Sequence, residues 1–193
     1  AVLASSFQFE EAEVKFMPNM PVISEGLGYG VLERDEFILA LETGYVQAAK
    51  GGRLHMDGSS MRVPNAHVPD PPVIFDLKGR GSVPTLMSLM DNKPFQISTK
   101  TKLGIDDVSG QAQLAAQIET HLKDELTSRD MSYALTGTLR DLRSELLVPG
   151  HIFTAELLQL TGTPDLIEIS GAGRVSDIPF EGRWAHALGA PNL

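Results

Sequence analysis

The chain has no cysteine. That excludes disulfides, cysteine-ligated zinc and thiol catalysis, and it leaves the compartment undecided. Long hydrophobic runs are also missing: the apolar stretches are a few residues each, far short of the ~20 that a membrane-spanning helix needs. Basic residues are few and scattered, 16 Lys and Arg against 25 Asp and Glu, and none lie closer together than Lys100 and Lys102. The net charge of −9 repels phosphate backbones, so nucleic acid is not an expected partner. The N-terminal AVLASSFQFEEAEV lacks the basic region and extended apolar core of a retained secretory signal. Cytoplasmic residence is the default expectation, and a signal already removed would leave no trace. No Gly-x-Ser-x-Gly occurs, and no repeat of solenoid period.

What is present is enough apolar residue, 42% of 193, to bury a core without metals or disulfides. One domain over 1–193 is the simplest reading; two small lobes sharing a core also fit. Residues 1–21 read as a lead-in arm, with Phe7, Phe9 and Val14 in no sustained period and Pro18 and Pro21 blocking a helix. In EGLGYG the glycines at 26, 28 and 30 suit a turn better than a phosphate cradle, because neither a third well-placed glycine nor a Gly-Lys-Ser ending follows. Asp35 predicts the cap of a short helix near 35–43, EFILALETG, stopped by Gly44. Asp57-Gly58 between RLHM and SSMRV predicts a two-residue hairpin. Pro64, Pro69, Pro71 and Pro72 predict an exposed loop, in which His67 and Asp70 read as solvated rather than as ligands. PVIFDLKGRG alternates as a strand, and VPTLMSLMDN reads as a short helical turn.

The clearest signal runs from Pro94 to Arg143. Phe95, Ile97, Thr99, Thr101 and Leu103 alternate as a strand over 95–103. Leu114, Ile118, Leu122 and Leu126 recur every four residues and predict one amphipathic helix over about 107–126, capped by Asp106 or Asp107. Tyr133, Leu135 and Leu139 alternate again over 132–142, with Gly137 marking a bulge or a close backbone approach. Pro149-Gly150 and Gly162-Thr163-Pro164 then punctuate a run of C-terminal strands. The expected class is therefore α+β: a strand-rich mixed sheet with one main helix and one shorter helix.

In this order the segments resemble the α-acetolactate decarboxylase family. VISEGLGYGVLERDEFILALETGYV, from Val22, is similar to that family's opening helix and glycine-marked turn, and GGRLHMDGSSMRV to its early hairpin. KPFQISTKTKL, the helix and SYALTGTLRDLRS are similar to the strand–helix–strand ahead of its active-site arginine. The similarity covers about 22–144. It implies a small-molecule enzyme acting on a carboxylate or carbonyl substrate, of decarboxylase, isomerase or cyclase type, with a divalent metal such as zinc as cofactor. The family's His-x-His is absent from this chain. GRWAHAL puts His186 at the second paired position with Trp184 at the first, PGHIF offers His151, and Arg143 matches the family's arginine after a two-residue shift. The family's early glutamate has no counterpart, since Gly52 and Arg53 stand there.

On that resemblance Arg143, Glu181 and His186 are the catalytic candidates. Arg140, Trp184 and Tyr133 are the substrate-binding candidates, and His151 with His186 the metal ligands. An arginine can hold a carboxylate through two parallel hydrogen bonds, or a metal can hold a developing enolate. The plainer reading pairs Arg140, Arg143, Arg174 and Arg183 with Glu145, Glu156 and Glu181 as surface ion pairs, and places Trp184 and Tyr133 in the core. The alternative function is a non-catalytic binding or assembly subunit of a larger complex, which suits the arm and the proline-rich loop. A homo-oligomer is compatible with either.

Overall fold

A computed structural model describes residues 4–16, 20–92, 104, 107–122 and 131–187. The described chain is almost all strand. In order it forms β1 (Ala4–Val14), β2 (Ile23–Glu33), β3 (Glu36–Gln47), β4 (Arg53–His55), β5 (Ser60–Val63) and β6 (Pro72–Ser82), then α1 (Val83–Met90). It continues through β7 (Val108–His121), β8 (Ser132–Val148), β9 (His151–Gly162), β10 (Leu166–Val175) and β11 (Ile178–Ala187). One antiparallel sheet holds them in the order β1-β2-β3-β4-β6-β7-β8-β9-β10-β11, with β5 between β3 and β6. Among the described strands β1 and β11 are its two edges. Among the described residues no helix is long and apolar enough to cross a membrane.

The α+β expectation is therefore overturned: this is a largely all-β fold. The predicted main helix is β7 over its described part, and the reason is visible in its spacing. Leu114, Ile118 and Leu122 lie four apart, a separation that fits a helix stripe and a strand face equally, because four is a multiple of two. The deciding positions are those three apart. Gln117 and His121, which a helix would put beside Leu114 and Ile118, are exposed, whereas Ala112 and Ile118 are buried and Leu114 and Ala116 half-buried between exposed neighbours. The shorter predicted helix is likewise a strand, β3, in which Phe37, Leu39 and Leu41 share one face and residues Phe37 to Ala40 pair with β5. The lead-in arm carries β1, and the 95–103 strand falls outside the described residues. The strand predicted over 132–142 is present and runs on to Val148.

The glycine cluster is neither turn nor cradle. Gly28 pairs with Phe9 and Gly30 with Phe7 across β1–β2. A Cβ at Gly28 would meet the Phe9 ring at 2.7 Å and the Ala40 carbonyl oxygen closer still. The missing side chains let the two rings lie across the strand, a known way of covering glycine in a sheet.

Bulges keep the alternation in phase, and three of them sit at acidic residues of positive φ. Ile23 and Gly26 in β2, and Leu139 and Leu142 in β8, are buried pairs three residues apart, which a regular strand would point to opposite faces. Glu25 (φ 51°) and Asp141 (φ 51°) supply the extra residue, and Glu11 (φ 51°) does so in β1 between Phe9 and Ala12. An extra residue at a bulge resets the face on which later side chains fall. The result is one apolar face throughout. On it Ile23, Leu41, Val46 and Leu54 cluster with Leu89; Val73, Phe75 and Ile118 form a second group, and Leu139, Leu142 and Leu158 a third with Val83.

α1 packs on this face. Ser82 caps it, its hydroxyl accepting from the Thr85 N–H at 3.2 Å, and Pro84 lies in its first turn. Thr85, with no exposed surface, donates to the Gly51 carbonyl at 2.6 Å and so ties the helix to the loop before β4.

Candidate functional site

The Asp57-Gly58 turn exists, yet it closes no hairpin. β4 and β5 both run antiparallel to β3 in a single register (Tyr45↔His55, Ala40↔Ser60), so they are two pieces of one strand. Between them Met56 to Ser59 forms a tight turn, the Ser59 N–H donating to the Met56 carbonyl at 3.1 Å, with Gly58 at φ 78°. The interruption leaves part of β6 without a backbone partner. Ser59, 3% exposed, stands in: its hydroxyl accepts from the Lys78 N–H (2.9 Å) and donates to the Lys78 carbonyl (3.2 Å).

Two hollows flank this break, one on each face. On the apolar face a cavity of about 120 Å³ lies under α1. Leu54, Met56, Leu77, Leu89, Leu114 and Leu135 are among its walls, together with Tyr133. A second, of about 180 Å³, lies between Phe9, Leu39, Leu41 and Phe75, and Phe16 and Leu77 line both. Partial burial first, and the Asp165 charge second, raise the Tyr133 phenol above its ordinary value.

On the polar face a larger hollow, about 630 Å³, is lined by His55, Asp57, Lys78, Arg80, Gln113, Thr136, Thr138, Arg140 and Gln159. His55, Arg80, Gln113, Thr138 and Gln159 are successive cross-strand partners. Lys78 and Arg140 flank that row on either side. Asp57 is fixed by the Gly44 N–H (3.3 Å) and reaches Arg80 at 3.4 Å. At its border Tyr45 donates to Glu25 at 3.1 Å, and the Arg53 guanidinium lies 3.9 Å over its ring. Desolvation and Glu25 raise the Tyr45 phenol, with Arg53 opposing them.

The residues expected from the sequence are dispersed. Arg140 lines the polar hollow and Tyr133 the apolar cavity. Arg143 is exposed on the same face as Arg140 and pairs with Glu145 at 2.9 Å, the plainer reading for that residue. Glu181 is exposed on β11, in register with Ala172. Trp184 is 44% exposed and stacks on His186, ring centroids 5.7 Å apart and planes at 2°. His151 sits by Ser176, at 3.3 Å, at the β10–β11 turn. His186 pairs with Ile167 at the far end of β10. The nine residue-to-residue steps from Ile167 along β10 to Ser176, just past its end, put the two histidines roughly 30 Å apart at ~3.3 Å per step. They do not fit one zinc ion, and among the described residues no three His, Asp or Glu side chains gather as metal ligands.

Searches of protein-family models, curated proteins and solved structures find no match to this chain. The residues that form the polar hollow, Lys78 and Arg80, sit in the alternating KGRG of a strand already legible in the sequence. What the sequence did not reveal was the broken strand beside them.

Proposed function

We propose that this protein is a non-catalytic binding module that takes up an apolar ligand, a hydrocarbon chain or small apolar molecule, against the apolar face of its sheet. The carrying observation is the cavity under α1, walled by leucines, methionines and Ile118 with Tyr133. An apolar void of ~150 Å³ stays dry and accepts apolar guests of benzene size. At about 120 and 180 Å³ the two cavities lie below the ~300 Å³ of a drug-sized site, which favours a narrow chain over a bulky ring. Each buried methylene contributes ~0.8 kcal/mol, so a chain burying about five gains ~4 kcal/mol, the scale of millimolar binding. Tighter binding requires the chain to extend into the second cavity past Phe16 and Leu77.

Saturable binding of a fluorescent fatty acid tests this. Ala116 lines the first cavity, and Ala116→Leu, which fills it, should abolish binding while the far-ultraviolet circular dichroism is unchanged. Failure of the parent protein to bind the probe, with no apolar ligand carried through purification by native mass spectrometry, would refute the reading.

A second reading, a lyase acting on a small carboxylate, is favoured by one observation: Arg140 faces the polar hollow and Arg143 shares its face. Release of carbon dioxide from a 2-hydroxy-3-oxo acid is its assay, and inactivity with and without added zinc ends it.

A further inference from the structure

We propose that the polar hollow is a binding site for a small oxyanion, a phosphate or carboxylate ligand, gripped by Arg140, Arg80 and Lys78. It lies on the opposite face from the apolar cavity and does not depend on that cavity being occupied. The chain as a whole is acidic, −9, so three cations around one hollow run against its composition. Among the described residues Asp57 is the one carboxylate lining it, and it engages Arg80 through a single 3.4 Å contact. A guanidinium has five N–H donors, so that contact leaves Arg80 able to bind a second oxyanion. Lys78 and Arg140 make no side-chain ion pair among the described residues. The next acid along β6 on this face, Asp76, accepts instead from the Gln117 amide at 3.0 Å.

The placement is built rather than incidental. Arg80, Gln113 and Thr138 are direct cross-strand partners, so their side chains rise from neighbouring strands ~4.8 Å apart. Arg140 is two residues beyond Thr138, and Lys78 two before Arg80, on the same face. Ala115 pairs with both Lys78 and Thr136, and its single methyl leaves the floor open between them. Ser59 holds the Lys78 backbone where the partner strand is broken. Arginine offers a planar fork that matches two oxygens of a carboxylate or phosphate, lysine adds a point charge, and Gln113 and Thr138 supply neutral donors.

The test is a titration of the ¹⁵N-labelled protein with inorganic phosphate and, separately, citrate, at constant ionic strength. Saturable shifts confined to the amides of 78–80, 113, 138 and 140 are expected. Arg140→Gln and Lys78→Gln should each weaken binding about tenfold, the usual weight of a charge-assisted hydrogen bond. Arg174→Gln, whose guanidinium binds the Asp177 carbonyl instead, should change nothing. Saturation by phosphate alone assigns a phosphate ligand, and saturation by citrate alone a carboxylate; either supports the site. Shifts that do not saturate, that sodium chloride reproduces, or that survive both substitutions would overturn it.

Discussion

Ser59→Ala is the substitution that most directly probes how the broken strand is held. Ser59 is 3% exposed, and its hydroxyl both accepts the Lys78 N–H at 2.9 Å and donates to the Lys78 carbonyl at 3.2 Å. Lys78 faces Ala115 across β7, but its own N–H and carbonyl point the other way, toward the gap between β4 and β5. Removing the hydroxyl leaves both groups without their partner. An unsatisfied buried backbone group costs ~1–3 kcal/mol, and water entering from the polar hollow offsets part of that. The expected loss is about 2 kcal/mol. At ~2–4 °C per kcal/mol for a domain of this size, Tm falls by about 4–8 °C. Urea unfolding gives the free energy, and hydrogen exchange at the Lys78 amide should accelerate with it. A change within ~0.5 kcal/mol, with the Lys78 amide as protected as before, would refute the claim that this serine substitutes for a strand.

Gly28→Ala should destabilise by about 1–3 kcal/mol, the usual cost of overpacking, because the new methyl meets the Phe9 ring and the Ala40 carbonyl; urea midpoints measure it, and Phe9→Ala in the same chain should recover part of the loss. Tyr133 is held above its ordinary value of 10.0 by burial and by Asp165. Its contribution to stability is full below pH 10 and is lost as pH rises through the higher folded value, since the unfolded chain ionises first. Absorbance at 295 nm should show that late titration, and Tyr133→Phe should flatten the alkaline fall in urea midpoint.

Local residue chemistry carries through to the fold in this chain, whereas an ambiguous period does not. Pro149-Gly150 turns the chain as expected, with Gly150 at φ 79°; Gly137 marks a close approach, its absent Cβ standing 2.6 Å from the Gln113 carbonyl oxygen. Asp57-Gly58 is a turn, but turn chemistry does not say whether the strands beside it pair with each other or with others. The four-residue stripe of Leu114 and Ile118 misled because strand and helix share that spacing. Arg140 was legible in the sequence as a substrate-binding candidate, and it lines the polar hollow. Its companions Lys78 and Arg80 were not, since they are more than fifty residues away in the chain and meet it only through register.

By itself, then, the sequence determined the chemistry each residue could offer: no thiol, an acidic surface, alternating strands over β6 and β8, and turns at proline and glycine. The tertiary structure alone decided that nearly every described segment is a strand, that bulges such as those at Glu11, Glu25 and Asp141 gather the apolar side chains on one face, and that a broken strand separates an apolar cavity from a cationic hollow. Those outcomes depend on which strands hydrogen-bond and in what register, a choice made by contacts between residues far apart in the chain and carried by no local pattern.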